Sequence, residues 1–277
     1  MRGGESAAYA AIQVGRSLFV AVAAKSHPLG PTFRRILAWH SFTAVLWIAG
    51  GLTDGPARAV LWLAALALEY AAPWHGYTTP LFGRSHTSEW TIDAEHMAER
   101  CRLFMLIVLG ESLLVVGATF SGAQLSVARV AAFLSAFTVA VALWWIYFHR
   151  VAGAAGERIA ASGDPGRLGR SAYTCLHVPM IAGVIVTAVA VETTIAHPDD
   201  RVTAGTACAV LGGPALFLAG HPLFTRAVFG QVSRSRLLAI AALAGLGLTA
   251  GIATPLMLMG GTATVLLGTA AWDGHAR

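Results

Sequence analysis

The chain has 277 residues, 56% of them hydrophobic and only 12% charged, with a mean hydropathy of +0.64. Soluble domains carry about a quarter charged residues, so there is too little polar surface here to coat a water-exposed globule; an ordinary soluble enzyme, a disordered chain and a secreted disulfide scaffold are excluded. The formal charge of +5 comes from basic residues standing singly or in pairs between apolar runs, which argues against a nucleic-acid partner and fits loops beside membrane spans.

A helix crosses the hydrocarbon with about 20 apolar residues, about 17 at the short end. In chain order, runs at or near that length are 7–24, 36–52, 57–72, 102–120, 127–148, 172–195 and 202–220. The nearly uncharged tail is long enough for two more, 237–253 and 255–272. The count is nine, with eight the alternative because the third run and the last pair are short. These runs are apolar all round, whereas barrel strands would alternate. The predicted fold is therefore all-α: a polytopic transmembrane helical bundle forming a single integral-membrane domain over 1–277. Lys25-Ser26-His27-Pro28 after the first run offers no small-x-small cleavage site, so that run is expected to stay as a span. Pro179 and Pro255 are expected to kink the spans that hold them.

Alternate loops differ sharply in Arg and Lys. One set holds Lys25, Arg34, Arg35, Arg84, Arg100, Arg150, Arg158, Arg167, Arg170, Arg226, Arg234, Arg236 and Arg277, the other Arg2, Arg58, Arg129 and Arg201. The richer set belongs in the cytoplasm, which predicts a multi-pass protein of the cell inner (plasma) membrane with a cytoplasmic C-terminus. Between spans, 73–95 carries Trp74, Tyr77 and Trp90 for the headgroup layer, and 151–169 reads as a mobile cytoplasmic loop. Cys101, Cys175 and Cys208 are isolated, which fits free thiols and not a disulfide framework.

Glu111 lies deep in the fourth run. An acid at a helix centre costs about 2.5–3.5 kcal/mol on insertion scales. At about 100° per residue, His96, Arg100, Ile107 and Glu111 share a stripe, with Leu103 and Gly110 alongside. Arg100 is about 16 Å away along the axis, so Glu111 needs a partner from another span, a water or a proton. It is either a protonatable site at the floor of a polar cavity or a clamp between helices. Glu69, His96, Glu99, Arg100, His149 and His177, with His40, also lie within about two turns of the cytoplasmic ends of their spans. That clustering favours a shared polar vestibule over side chains that each reach separately for headgroups. His96 and Glu99 have the i,i+3 spacing of di-metal bundles, but no second helix repeats it, and H-E-x-x-H, G-x-S-x-G and Walker A patterns are absent. Neither a metal nor another cofactor is expected, and no catalytic residue is assigned.

The stretch His96-x-x-Glu99-Arg100-x-x-Leu103-Phe104-x-x-Ile107-x-Leu109-Gly110-Glu111-Ser112 resembles the hallmark of the bacterial low temperature requirement protein A family. Trp144-Trp145-Ile146-Tyr147-Phe148, His177-Val178-Pro179-Met180-Ile181-Ala182-Gly183-Val184 and the segment 9–19 with Gln13 and Arg16 are similar to other parts of it. The resemblance covers essentially the whole chain. It implies a bacterial multi-pass membrane protein linked to growth in the cold, and supplies no reaction, substrate or cofactor. Two departures stand out. Members of the family usually carry two or three further N-terminal spans with a Phe-rich, Asp-containing motif, so this chain looks shortened, and the residue after the Trp-Trp run is usually Asp where this chain has His149. Carried over by position, His96, Glu99, Arg100, Glu111 and His177 are the first candidates, with Glu69, His149 and His40 second.

Three function classes follow. The preferred expectation is a transporter- or channel-like protein that moves an unidentified small solute or ion and uses Glu111 as its proton or cation site. A structural or accessory membrane protein is the first alternative. The second is a membrane-embedded enzyme acting on a lipid or isoprenoid, with the cytoplasmic His/Glu/Arg layer as acid–base and anion-binding groups. The non-enzymatic readings are preferred, membrane lipids are expected partners, and no oligomeric state follows from the sequence.

Overall fold

A computed structural model describes residues 3–80, 82–85, 93–121, 124–149 and 154–275. Trp90 and Arg150 lie outside them, as do Arg2 and Arg277. Among the described residues the secondary structure is helical, apart from one isolated antiparallel bridge between Thr79 and Gly83. The helices are α1 (Gly3–Ala23), α2 (Gly30–Leu52), α3 (Gly55–Trp74), α4 (Ala94–Ser121), α5 (Val127–Phe148), α6 (Ala154–Ala160), α7 (Pro165–Gly169), α8 (His177–Ala196), α9 (Ala204–Phe229), α10 (Arg234–Gly247) and α11 (Pro255–His275), with a π-helical turn at Arg170–Cys175.

Each of the nine expected runs coincides with a helix, but not all nine helices qualify as spans. Among the described residues, six stretches are long and apolar enough to cross: α1, α4, α5, α7 through α8, α9 and α11. Polar side chains dilute α2 (Arg34, Arg35, His40) and α3 (Arg58, Glu69). Helix α10, at 14 residues, is shorter than the roughly 20 that a crossing needs. Large apolar side chains stand uncovered along the helices, among them Phe19, Leu63, Ile107 and Leu114. A soluble protein does not leave so much apolar surface to water.

The chain's contacts fall into two units, Met1–Thr91 and Ile92–Arg277. In the first, α2 packs between α1 and α3. Two glycines permit this. A Cβ on Gly50 would lie 2.5 Å from the Trp62 ring, and one on Gly51 would lie 2.9 Å from Ser6 Cβ. Trp47 bridges the unit, edge-on to Tyr9 at 5.0 Å and tilted to Trp62 at 6.2 Å.

In the second unit, α8 and α9 approach until backbone touches backbone. A Cβ on Gly183 would meet Phe217 N at 2.5 Å and Gly213 O at 2.6 Å; small residues serve membrane helices in this way. Phe217, Met105, Leu143, Ile146, Met180, Leu258 and Leu266 are fully buried around this crossing. The expected mobile loop 151–169 is instead partly helical. Ala155 and Ile159, one helical turn apart on α6, are both buried, and α6 packs on α4. Asp164 caps α7 by accepting from Arg167 N at 2.9 Å, with Pro165 in the first turn. Of the two prolines expected as kinks, Pro255 is the first residue of α11, where the missing N–H costs nothing, whereas Pro179 lies inside the continuous stretch from α7 through α8, just after its π-helical turn.

Candidate functional site

Helix α4 buries Ala94, Ala98, Met105, Leu109 and Val116, a face at helical spacing. The stripe read from the sequence, His96, Arg100, Ile107 and Glu111, occupies the opposite side and is exposed along its length, continuing to Leu114. Glu111 has no hydrogen-bond or ion-pair partner among the described residues. Ser112 is spent on its own helix, its hydroxyl donating to the Val108 carbonyl at 3.0 Å. A Cβ added to Gly110 would meet nothing within 4 Å, so the surface beside the carboxylate is open. At 1.5 Å per residue Glu111 lies about 25 Å from the start of α4 and about 15 Å from its end.

At the start of α4 a cavity of about 560 Å³ opens against α6, lined by Asp93, Glu95, His96, Glu99, Arg102 and Glu157. Asp93 starts the helix by accepting from His96 N at 2.9 Å, and Glu99 pairs with Arg102 at 3.1 Å. Four carboxylates against one arginine give this mouth a negative field. It holds only part of the expected vestibule: His96 and Glu99 line it, while Arg100, Glu69, His40, His149 and His177 do not. His149 stacks on Trp145, ring centroids 4.7 Å apart, at the exposed end of α5.

His177 is buried and its hydrogen bonds are satisfied. Its Nδ1 lies 2.9 Å from the Ala172 carbonyl and its Nε2 lies 2.9 Å from Tyr147 Oη. A carbonyl only accepts, so Nδ1 carries the proton and a neutral ring takes the tyrosine's hydrogen on Nε2. The π-helical turn brings Ala172 under the ring, and Tyr173 and Phe224 pack on it at 5.5 and 5.1 Å.

In the first unit the best-connected acid is Glu69. Tyr9 Oη donates to Oε2 at 3.1 Å, while Thr43 Oγ1 and Trp47 Nε1 each donate to Oε1 at 2.9 Å. Gln13 donates to Tyr9 Oη and accepts from Arg16, extending the chain of bonds along α1. Ser17 spends its hydrogen on the Gln13 carbonyl, so the 2.7 Å contact with His40 runs from His40 Nδ1–H to the serine oxygen. Donors on α1 and α2 thus converge on one carboxylate of α3.

A third polar group was not singled out from the sequence. Arg236 on α10 and Asp273 on α11 form a two-pronged ion pair, NH1 to Oδ1 and NH2 to Oδ2 both at 2.7 Å, with side chains 8% and 9% exposed. Ser235 donates to Asp273 at 3.0 Å, and Arg236 also donates to Ser233 at 2.8 Å. Beside this pair lies His221 of α9, 1% exposed. Among the described residues no group of three or more His, Cys, Asp and Glu side chains is disposed to hold a metal.

The chain matches the family model for the bacterial low temperature requirement A protein over residues 6–271. It belongs to that family. It is also 36% identical over 269 residues to an uncharacterized protein of Rhizobium meliloti (strain 1021), a match covering 96% of this chain and 66% of that protein. The chain thus spans about two-thirds of the length of the curated relative it matches. No solved structure matches it. Family membership and the apolar helices together make it a multi-pass membrane protein.

Proposed function

We propose that this member of the family is a transporter- or channel-like protein for protons or small cations, with Glu111 as its intramembrane accepting group. What supports this is the contrast between two carboxylates, one on α3 and one in the middle of the span-length helix α4. Glu69 accepts from three donors on two other helices, which ties those helices together. Glu111 has no donor at all among the described residues and stands exposed between the apolar side chains of Ile107 and Leu114. In hydrocarbon such a group is stable only when neutralised by a proton or a cation. Its state therefore follows what reaches it, as a carrier site requires. The acidic mouth at the start of the same helix concentrates cations. On the reading from loop arginines, with nine crossings and the C-terminus in the cytoplasm, that mouth faces the cytoplasm. Membrane lipids surround the stripe.

The test is proton uptake into proteoliposomes under an imposed potassium diffusion potential. Glu111→Gln should abolish uptake while leaving the unfolding midpoint unchanged, because the carboxylate holds nothing together. Uptake equal to wild type would overturn the proposal. A fall in stability with uptake intact would assign Glu111 to helix packing instead.

A further inference from the structure

A second site lies at the inner end of α9, α10 and α11, and it does not depend on the reading of Glu111. Three features of α10 and its surroundings are unbalanced as they stand. First, α10 begins with Arg234 and Arg236 in its opening turn and has no acidic residue there. A helix N-terminus carries partial positive charge, so cations in the first turn are unfavourable unless an anion offsets them. Asp273 offsets Arg236. Arg234 is exposed and has no hydrogen-bond or ion-pair partner among the described residues.

Second, the cap position is occupied but not used. Ser233 makes no side-chain cap bond; its hydroxyl is turned to Ser235 and Arg236 instead. The first amides of α10 are left without the oxygen that a serine at this position ordinarily supplies.

Third, His221 is buried in the same place with neither ring nitrogen hydrogen-bonded. The Ile146 carbonyl is in its surroundings, yet no bond of acceptable geometry forms. A buried imidazole left unsatisfied on both nitrogens is costly. His221, Ser233, Arg234, Ser235 and Arg236 line one cavity of about 410 Å³ together with the Asp273 carboxylate, which is taken up by Arg236, and Trp272 and Phe229 supply an apolar wall. The helices ending here balance their own termini: α9 has Arg226 in its last turn and α11 has His275. Among the described residues here, Arg234 is the charge left over.

We infer that this cavity binds a phosphate group, which would accept from the Arg234 guanidinium, the uncapped amides of α10 and His221. One oxyanion with several lone pairs supplies what all three features lack, and helix N-termini backed by arginine suit phosphate oxygens. The group comes either from an anionic phospholipid headgroup, whose glycerol and chains would run past Trp272 and Phe229, or from a soluble phosphate compound. Basic pockets between membrane helices on the cytoplasmic side recognise headgroups in this way.

The experiment follows the unfolding temperature of the full chain in a nonionic detergent. One arm adds inorganic phosphate against chloride at equal ionic strength; the other adds phosphatidylglycerol against phosphatidylcholine. A saturable rise is expected in at least one arm, weakened by at least about tenfold in apparent affinity by Arg234→Gln. His221→Phe, which fills the space without offering a donor, should weaken it as well. A response to phosphate assigns a soluble source, and a response to phosphatidylglycerol alone assigns the headgroup. No saturable response in either arm, or an equal response in Arg234→Gln, which alters an exposed side chain and leaves the fold alone, overturns the inference.

Discussion

Replacing Asp273 by Asn removes one charge from the Arg236–Asp273 pair and leaves the shape nearly unchanged. Both side chains are more than nine-tenths covered, and two contacts of 2.7 Å join them. After the change the guanidinium stays buried with the Ser233 and Ser235 hydroxyls at 2.8 and 3.1 Å and no negative charge against it. Breaking a buried pair on one side costs about 3–5 kcal/mol, because an uncompensated ion remains. Against a total stability of about 5–15 kcal/mol, that is a large share. The assay is denaturant unfolding of the full chain in detergent, run as a cycle with Arg236→Met, Asp273→Leu and the double variant. The double variant should recover most of the loss, since matched apolar replacements of a buried pair are often neutral or better. If Asp273→Asn lies within about 1 kcal/mol of wild type, or the double variant is no better than either single one, the pair does not carry the role its burial assigns it.

Two further changes test the packing. Glu69→Gln puts an amide nitrogen where an oxygen now accepts, so Tyr9, or Thr43 and Trp47, lose their acceptor; a loss of about 2 kcal/mol is expected by the same unfolding assay, and none would show that the network is slack. Gly183→Val should cost about 3 kcal/mol, because the new Cβ meets backbone atoms of Phe217 and Gly213 that cannot rotate away. Gly110→Ala, with open space around it, should be neutral or stabilising by up to about 1 kcal/mol; equal effects at the two glycines would refute the close α8–α9 crossing.

The apolar runs located the helices because burial in lipid and burial in protein both demand apolar side chains. Their ends were less legible. The fourth run begins at 102 by hydropathy, yet α4 begins at Ala94, because the Asp93 cap and the buried pair Ala94 and Ala98 sustain the helix through its charged first turns. The segment 151–169 read as a loop on its glycines and charges. Its helices were still written in the sequence, as Ala155 and Ile159 at i,i+4 and as Asp164-Pro165 at a helix start.

For the candidate site, helical periodicity told which residues share a face and not which way the face points. In water a polar stripe on an apolar helix faces outward, and in a membrane protein it is expected to face inward, so His96, Arg100 and Glu111 were assigned to one cavity; of the three, His96 lines the cavity at the start of α4. The better guide was size. Ala94, Ala98 and Met105 form the side with small or pliant residues, which is where membrane helices meet, and that side is the buried one. Arg236 was misread for a related reason: it was counted among loop arginines that set topology. Asp273 is the only acid after Asp200, and an acid alone at the end of a long apolar tail must find a cation within reach. Once that cation is Arg236, its charge is cancelled inside the fold and no longer counts toward orientation. Arg234 then faces an uncapped helix end beside an unsatisfied histidine with no carboxylate among the described residues to cancel its charge, which is why the anion belongs at α10 rather than anywhere else along the loop arginines.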